Sequence, residues 1–168
     1  MHMKKRLYVP LLLTASLALS GCGTKEEAQE KKEATEHTHA HGVTGDITEI
    51  TKNADTLPSF LSSQSEQVQQ IYHIAAQNHE LLSWIPCYCG CGDSVGHKSN
   101  KNCFIREIRE TGEIVWDSHA TTCVNCLEIA LESASLKQKG KSTIEIRNYI
   151  DTKYKEGFAK PTPTPMPQ

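Results

Sequence analysis

Ile85-Pro86-Cys87-Tyr88-Cys89-Gly90-Cys91-Gly92 is the stretch on which the reading of this chain turns. Three thiols stand at every second position. On an extended strand they would share one side, about 6.6 Å apart. That is too far for sulfurs around one ion, whose Zn–S bonds are near 2.3 Å. If the thiols converge, the backbone must curl. Gly90 and Gly92 permit the curl, because glycine accepts positive φ and close backbone approach. Pro86 fixes how the chain enters. The segment therefore reads as a thiol-lined turn at the end of a helix.

Working outward, a second pair follows in Cys123-Val124-Asn125-Cys126, and Cys103 lies between. Cys-x-x-Cys in the first turn of a helix puts both thiols on one side, where the helix N-terminus favours thiolate. Thiolate binds metal and attacks disulfides. Six cysteines, Cys87, Cys89, Cys91, Cys103, Cys123 and Cys126, leave three chemistries open. They can hold a soft cation, Cu(I) or Zn(II). They can pair as disulfides, with 15 possible connectivities. Cys123 and Cys126 can cycle as a redox pair, although no βαβ setting for such a pair is visible. Metal binding is the favoured reading; iron–sulfur chemistry suits an exported protein poorly, and six thiols, more than one structural Zn needs, could hold a multi-copper thiolate site or one four-ligand site plus one disulfide.

Histidines extend the donor set. His97 lies in the loop between Cys91 and Cys103, and His119 stands four residues before Cys123. A ligating imidazole usually has a carboxylate behind it, and Asp117 is the nearest in sequence. The plainer alternative is a loop turn that caps the following helix. His37, His39 and His41 alternate in a polar segment and form an auxiliary collector or a solvated linker. His73 and His79 are read as structural or surface residues.

Helical periodicity frames the cysteines. Ser63-x-x-Glu66 has the capping-box form. Behind it Val68, Ile71, Tyr72, Ala75, Leu82 and Ile85 fall on one face until Pro86. A second helix starts near Thr121 or Thr122 and presents Cys123, Cys126, Leu127, Ala130, Leu131 and Ala134, with Gly140 at its end. A third opens at Ser142-x-x-Glu145 and buries Ile146, Ile150 and Tyr154. Cys103–Ile108 and Glu113–Trp116 read as a short hairpin through Glu110-Thr111-Gly112, with a helix over Phe104–Glu110 as the alternative. The expected fold is mainly α: a small cysteine-rich domain of about three helices with one short β-hairpin, over residues 56–160. Its core is thin for its length, and such domains need staples or metal.

The flanks read as delivery. Lys4, Lys5 and Arg6 precede the apolar run Leu7–Leu19, too short to span a bilayer. Leu19-Ser20-Gly21-Cys22 then looks like a lipobox, which makes residues 1–21 a lipoprotein signal peptide and Cys22 the acylated N-terminus. Residues 22–55 read as a disordered, His-containing tether with a reach of about 30 Å. Residues 161–168, Pro161-Thr162-Pro163-Thr164-Pro165-Met166-Pro167-Gln168, read as an extended proline-rich tail that adds nothing to a core. Cleavage removes three of the 18 basic residues and none of the 20 acidic ones, leaving a net charge of −5 with histidine neutral. That excludes nucleic acid as a partner and leaves the lipid anchor to hold the chain at the extracytoplasmic face of the cell membrane. A surface protein partner stays open. No nucleophile elbow, P-loop, zincin or dinucleotide motif is present, so no enzyme is expected beyond the thiol–disulfide exchange alternative.

Ile85–Gly92, with Gly96-His97, Asn102-Cys103-Phe104, Trp116–Ala120, Cys123–Cys126 and Glu145–Asp151, resembles the PCYCGC-motif lipoproteins of Gram-positive bacteria. The resemblance covers roughly residues 57–156. It implies that the cysteines belong to one defined domain and supports the lipobox. It implies no activity, and no catalytic residue carries over.

Overall fold

The computed structural model describes residues 45–168. The signal segment, Cys22 and the His37, His39, His41 tract lie outside the described residues.

The chain enters as strand β1 (Thr48–Thr51), and a 3-10 turn at Ser59–Ser63 leads into helix α1 (Glu66–Gln77). Ser65 caps α1 by accepting the Val68 N–H, so Ser63 is not the cap that the Ser63-x-x-Glu66 pattern suggested. Asn78 breaks the run, and α2 (His79–Ser83) follows. Helix α3 (Cys91–Ser94) and a 3-10 turn (Asn100–Cys103) lead to β2 (Ile105–Ile108) and β3 (Ile114–Asp117). A third 3-10 turn (His119–Thr122), α4 (Val124–Gln138) and α5 (Thr143–Lys153) complete the order. The expected mainly helical, cysteine-rich fold is present, with five helices in place of three. Both additions are short: α2 is split from the expected first helix by the break at Asn78, and α3 is a single turn.

The expected hairpin is β2–β3, and it is part of a larger sheet. The antiparallel order is β1-β3-β2, with Thr48 opposite Asp117 and Thr51 opposite Ile114. Residues 46–55, read as tether, therefore belong to the domain. On β1, polar side chains are buried with partners: Glu49 accepts from Ser59 and Thr51 Oγ1 from Trp116. The β2–β3 register slips between Ile105 and Glu107. The bulge aims Arg106 at Asp117, whose carboxylate is buried and accepts Arg106 Nε.

Above the sheet sits an aromatic cluster. Tyr72 meets Phe104 edge-on at 5.0 Å between ring centroids. Its hydroxyl donates to the Asp117 carbonyl at 2.8 Å. Trp116, fully buried, donates Nε1–H to Thr51 Oγ1 at 2.8 Å. Both polar tips are satisfied, as buried Tyr and Trp require. The face of α4 is rotated from the expected one: Cys126, Ile129, Ala130 and Ser133 are buried, while Leu131 is exposed. Helix α5 keeps its capping box, with Ser142 and Glu145 bonded reciprocally, and buries Ile146, Ile150 and Tyr154 as expected. No helix among the described residues is long and apolar enough to cross a membrane.

The C-terminal segment is docked, contrary to the reading of residues 161–168 as a tail outside the core. Proline at every second position holds an extended path, and the alternation turns Thr162 and Thr164 to the same side, both buried. Thr162 N–H donates to the Cys87 carbonyl at 2.9 Å, and Thr162 Oγ1 accepts the Cys87 N–H at 2.9 Å. Thr164 Oγ1 donates to the Lys98 carbonyl at 2.6 Å. Arg147, buried on α5, donates to the Thr164 and Pro165 carbonyls and to that of Trp84. A Cβ at Gly92 would stand 3.3 Å from Thr162 Cα, so the close approach of this strap depends on a residue without one.

Candidate metal centre

The turn curls as the glycines allow. Gly90 takes φ +89° and caps α3, which puts Cys91 in that helix's first turn. Cys87, Cys89 and Cys91 come within 4.8 Å of one another at their sulfurs. The loop beyond α3 folds back on the Cys91 carbonyl, which accepts from Val95 and His97 N–H. That return delivers His97 to Cys103, with Nδ1 and Sγ 3.5 Å apart. Cys103 ends the turn stabilised by the Ser99–Asn102 capping box. From the other side of the molecule β3 hands the chain to His119, and Cys123 caps α4. The α4 cap is Cys123 itself, where Thr121 or Thr122 was expected: its sulfur accepts the Cys126 N–H at 3.4 Å.

All six thiols are free and contiguous. Sulfur–sulfur distances are 3.4 Å for Cys87–Cys89 and Cys87–Cys126, 3.6 Å for Cys89–Cys126, 3.7 Å for Cys91–Cys103 and 2.8 Å for Cys123–Cys126. Each exceeds the ~2.05 Å of a disulfide. A tetrahedral ion with Zn–S bonds near 2.3 Å holds its sulfurs about 3.8 Å apart, close to most of these separations. Four groups have donors mutually within 4.8 Å: Cys89, His119, Cys123 and Cys126; Cys91, His97, Cys103 and His119; Cys87, Cys103 and Cys126; and Cys87, Cys89 and Cys91. All eight donors expected from the sequence are thus in one neighbourhood. The collecting tract at His37, His39 and His41 falls outside the described residues. His73 and His79 belong to none of these groups: His73 bonds Gln77 within α1, and His79, at the start of α2, bonds the Ala76 carbonyl at the end of α1.

The imidazoles are held differently. His119 Nε2 faces Cys89 Sγ at 3.8 Å, and its Nδ1 is 2.9 Å from Asp46 Oδ2. The carboxylate behind the ring is therefore Asp46, not Asp117. Asp117 Oδ1 accepts the His119 backbone N–H at 2.8 Å, which is the capping-turn role. Asp46 lies 73 residues before His119 in a stretch that reads as linker, so nothing local in the sequence pairs them. The strand β1, through Ile47 bonded to Ser118 from both backbone groups, makes the pairing. Two other supports escaped sequence reading. Fully buried Asn100 donates Nδ2–H to the Cys126 carbonyl at 3.2 Å, and Thr162 grips Cys87.

Electrostatics sort the thiols into acids and bases. Hydrogen bonding with Cys103, then Cys126, pulls the Cys87 thiol down to about 4. Hydrogen bonding with Cys103, Cys123 and Cys126 pulls Cys89 well below the ordinary thiol range. Burial pushes Cys103 up. The Cys89 sulfur, and behind it the Asp46 carboxylate, raises His119 to about 9 against the opposing effect of burial. Burial pushes His97 down. These shifts favour thiolate at Cys87 and Cys89 and the charged imidazole at His119, which faces Cys89, and disfavour the charged imidazole at His97, beside the Cys103 thiol. Thiolate is the ligating form, and it is favoured at two members of the cluster.

No curated protein and no solved structure matches this chain. The Cys87-Tyr88-Cys89-Gly90-Cys91 turn at the heart of the centre is nonetheless a shared trait: the model of the family described as "Protein of unknown function with PCYCGC motif" matches residues 11–167, and the chain belongs to that family.

Proposed function

We propose that this protein is a non-enzymatic module that binds a thiophilic cation, Cu(I) ahead of Zn(II), and buffers, senses or hands on that ion at the outer face of the membrane. The observation that carries the reading is the convergence of six free thiols with two imidazoles, one of them carboxylate-backed. Sulfur donors of this number favour soft cations. Cys89 and Cys123 are only partly buried, so an ion has a route in. The Lys4–Cys22 leader supports export and acylation at Cys22, and His37, His39 and His41 would collect ions beside the anchor.

The test is the metal content of the full chain, purified without oxygen or chelator, with accessible thiols counted alongside. Copper or zinc at one or more equivalents, with thiols shielded from alkylation, is the expected result. No metal together with no free thiols would overturn it. That outcome would favour a disulfide-stapled module that displays a surface to another protein.

One distance favours a second reading. Cys123 and Cys126 sulfurs are 2.8 Å apart, inside van der Waals contact, at the N-terminus of α4. A reversible disulfide there would make the chain a thiol–disulfide exchange protein. Catalysed exchange on a model disulfide, lost in Cys123→Ser, would support it.

A further inference from the structure

Donors that share one ion cannot be far apart: with bonds near 2.3 Å, two ligand atoms are separated by at most about 4.6 Å. This limit separates Cys123 from part of the cluster. Among the described residues, no set within 4.8 Å joins Cys123 to Cys91, His97 or Cys103. Cys123 belongs with Cys89, Cys126 and His119 Nε2. Cys91 belongs with Cys103 and His97 Nδ1, whose 3.7 Å and 3.5 Å separations approach the edges of a tetrahedral S,N site. His119 lies within 4.8 Å of this set as well as of the first, and its Nε2 faces Cys89 at 3.8 Å. Cys87 is the remaining donor. It lies within 4.8 Å of both Cys91 and Cys103, and 3.4 Å from Cys89 and Cys126.

We propose that the centre is binuclear, with two closed-shell thiophilic cations held side by side. One ion takes Cys89, Cys123, Cys126 and His119. The other takes Cys91, Cys103 and His97, with Cys87, within 4.8 Å of both of those sulfurs, as its fourth donor. The inference rests on the metal-binding reading above and adds stoichiometry and partition to it. Eight donors fill two four-coordinate shells, whereas a single four-coordinate ion would leave at least two of the six thiols without a metal. Both ions would have complete protein shells, which is the pattern of a storage or structural centre rather than of an open catalytic one.

The experiment titrates the reduced full chain with Zn(II) and with Cd(II), using a background in which His37, His39 and His41 are alanine so that the tether contributes no site. Bound metal is counted, and cadmium NMR resolves the environments. The expected result is two equivalents per chain and two resonances. Cys123→Ser and Cys91→Ser should each fall to one equivalent and lose a different resonance, and the surviving resonance reports that the variant folds. A single equivalent in the parent chain would overturn the binuclear centre while leaving metal binding intact. Zero equivalents would remove both. Loss of both ions from a variant whose aromatic circular dichroism is unchanged would also overturn the partition, since one indivisible cluster would then be present.

Discussion

Replacing Asp46 with asparagine removes one charge and leaves the side chain's size unchanged, so it isolates what the carboxylate does for His119. The Asp46 and His119 side chains are 16% and 18% exposed, and Oδ2 lies 2.9 Å from Nδ1. A hydrogen bond between charged partners in such a setting contributes about 1.5–3 kcal/mol. When His119 binds an ion through Nε2, the carboxylate continues to accept the Nδ1 proton, fixing the tautomer and raising the ring's donor strength. Loss of that support costs about 10–100-fold in affinity, or about 1.4–2.7 kcal/mol, within the hydrogen-bond range. Competition against a chelator of known affinity would measure this for Zn(II). Asp93→Asn is the control: Asp93 is exposed on α3, beside Cys91, and carries the same charge. A tenfold or greater loss in Asp46→Asn with less than threefold in Asp93→Asn is the expected pattern. Equal losses would refute the argument, because the effect would then be the general field of a negative charge. An unchanged affinity in Asp46→Asn would place His119 outside the ligand set.

Thr162→Val leaves the buried Cys87 N–H without its acceptor and should lower unfolding stability of the reduced, metal-free chain by about 1–3 kcal/mol in urea; an unchanged midpoint would mean that the strap is not docked in solution. Gly90→Ala forces a Cβ onto φ +89° at a cost of about 1–2 kcal/mol, and Gly112→Ala, at φ +88° in the hairpin, should cost about the same. Only Gly90→Ala should also weaken metal binding, by tenfold or more in the same chelator competition, because it alone shifts the thiol-bearing turn. Glu145 is held down at about 2 by hydrogen bonds from the Ser142 backbone and then Lys141. Its folded value lies below its unfolded one, so its contribution is present above about pH 4.5 and fades as pH falls toward 2. Melting curves of the chain and of Glu145→Gln should therefore differ at pH 6 and converge near pH 2, and parallel curves throughout would contradict the capping box.

Much of this molecule was legible because chemistry and spacing agreed. Cysteines at every second position cannot converge without a curl, and Gly90 at φ +89° supplies it. The α5 capping box and its Ile146, Ile150, Tyr154 face were readable because each signal is local. What escaped was set by contacts distant in sequence. Strand β1 lies in a polar stretch, and only pairing with β3 makes it a strand. The α4 face was misjudged because Leu131 is apolar yet exposed, while Ser133 is polar yet buried; packing against α5 and α1 decided the rotation, not hydrophobicity alone. The proline-rich segment held a missed signal. Alternation itself, proline against threonine, is a period-two pattern that marks a strap with one buried side.

These two long-range additions converge on the metal centre, which gives it a particular coupling to the fold. Asp46, just before the strand that opens the described chain, sits behind His119, and Thr162, from the segment that closes it, clasps Cys87. The cysteine turn is thus gripped from both ends of the domain, while its sulfurs reach Cys126 on α4 and Cys103 beside β2. Removing a bound ion would leave thiolates such as Cys87 and Cys89 close together, and burial of like charges is costly. Relief comes through proton uptake or by letting the turn open, and opening must release the Thr162 strap. Metal binding and docking of the C-terminal segment are on this argument one equilibrium. Hydrogen exchange at the Thr162 and Cys87 amides should slow together when Zn(II) is added. Protection of one without the other would separate them.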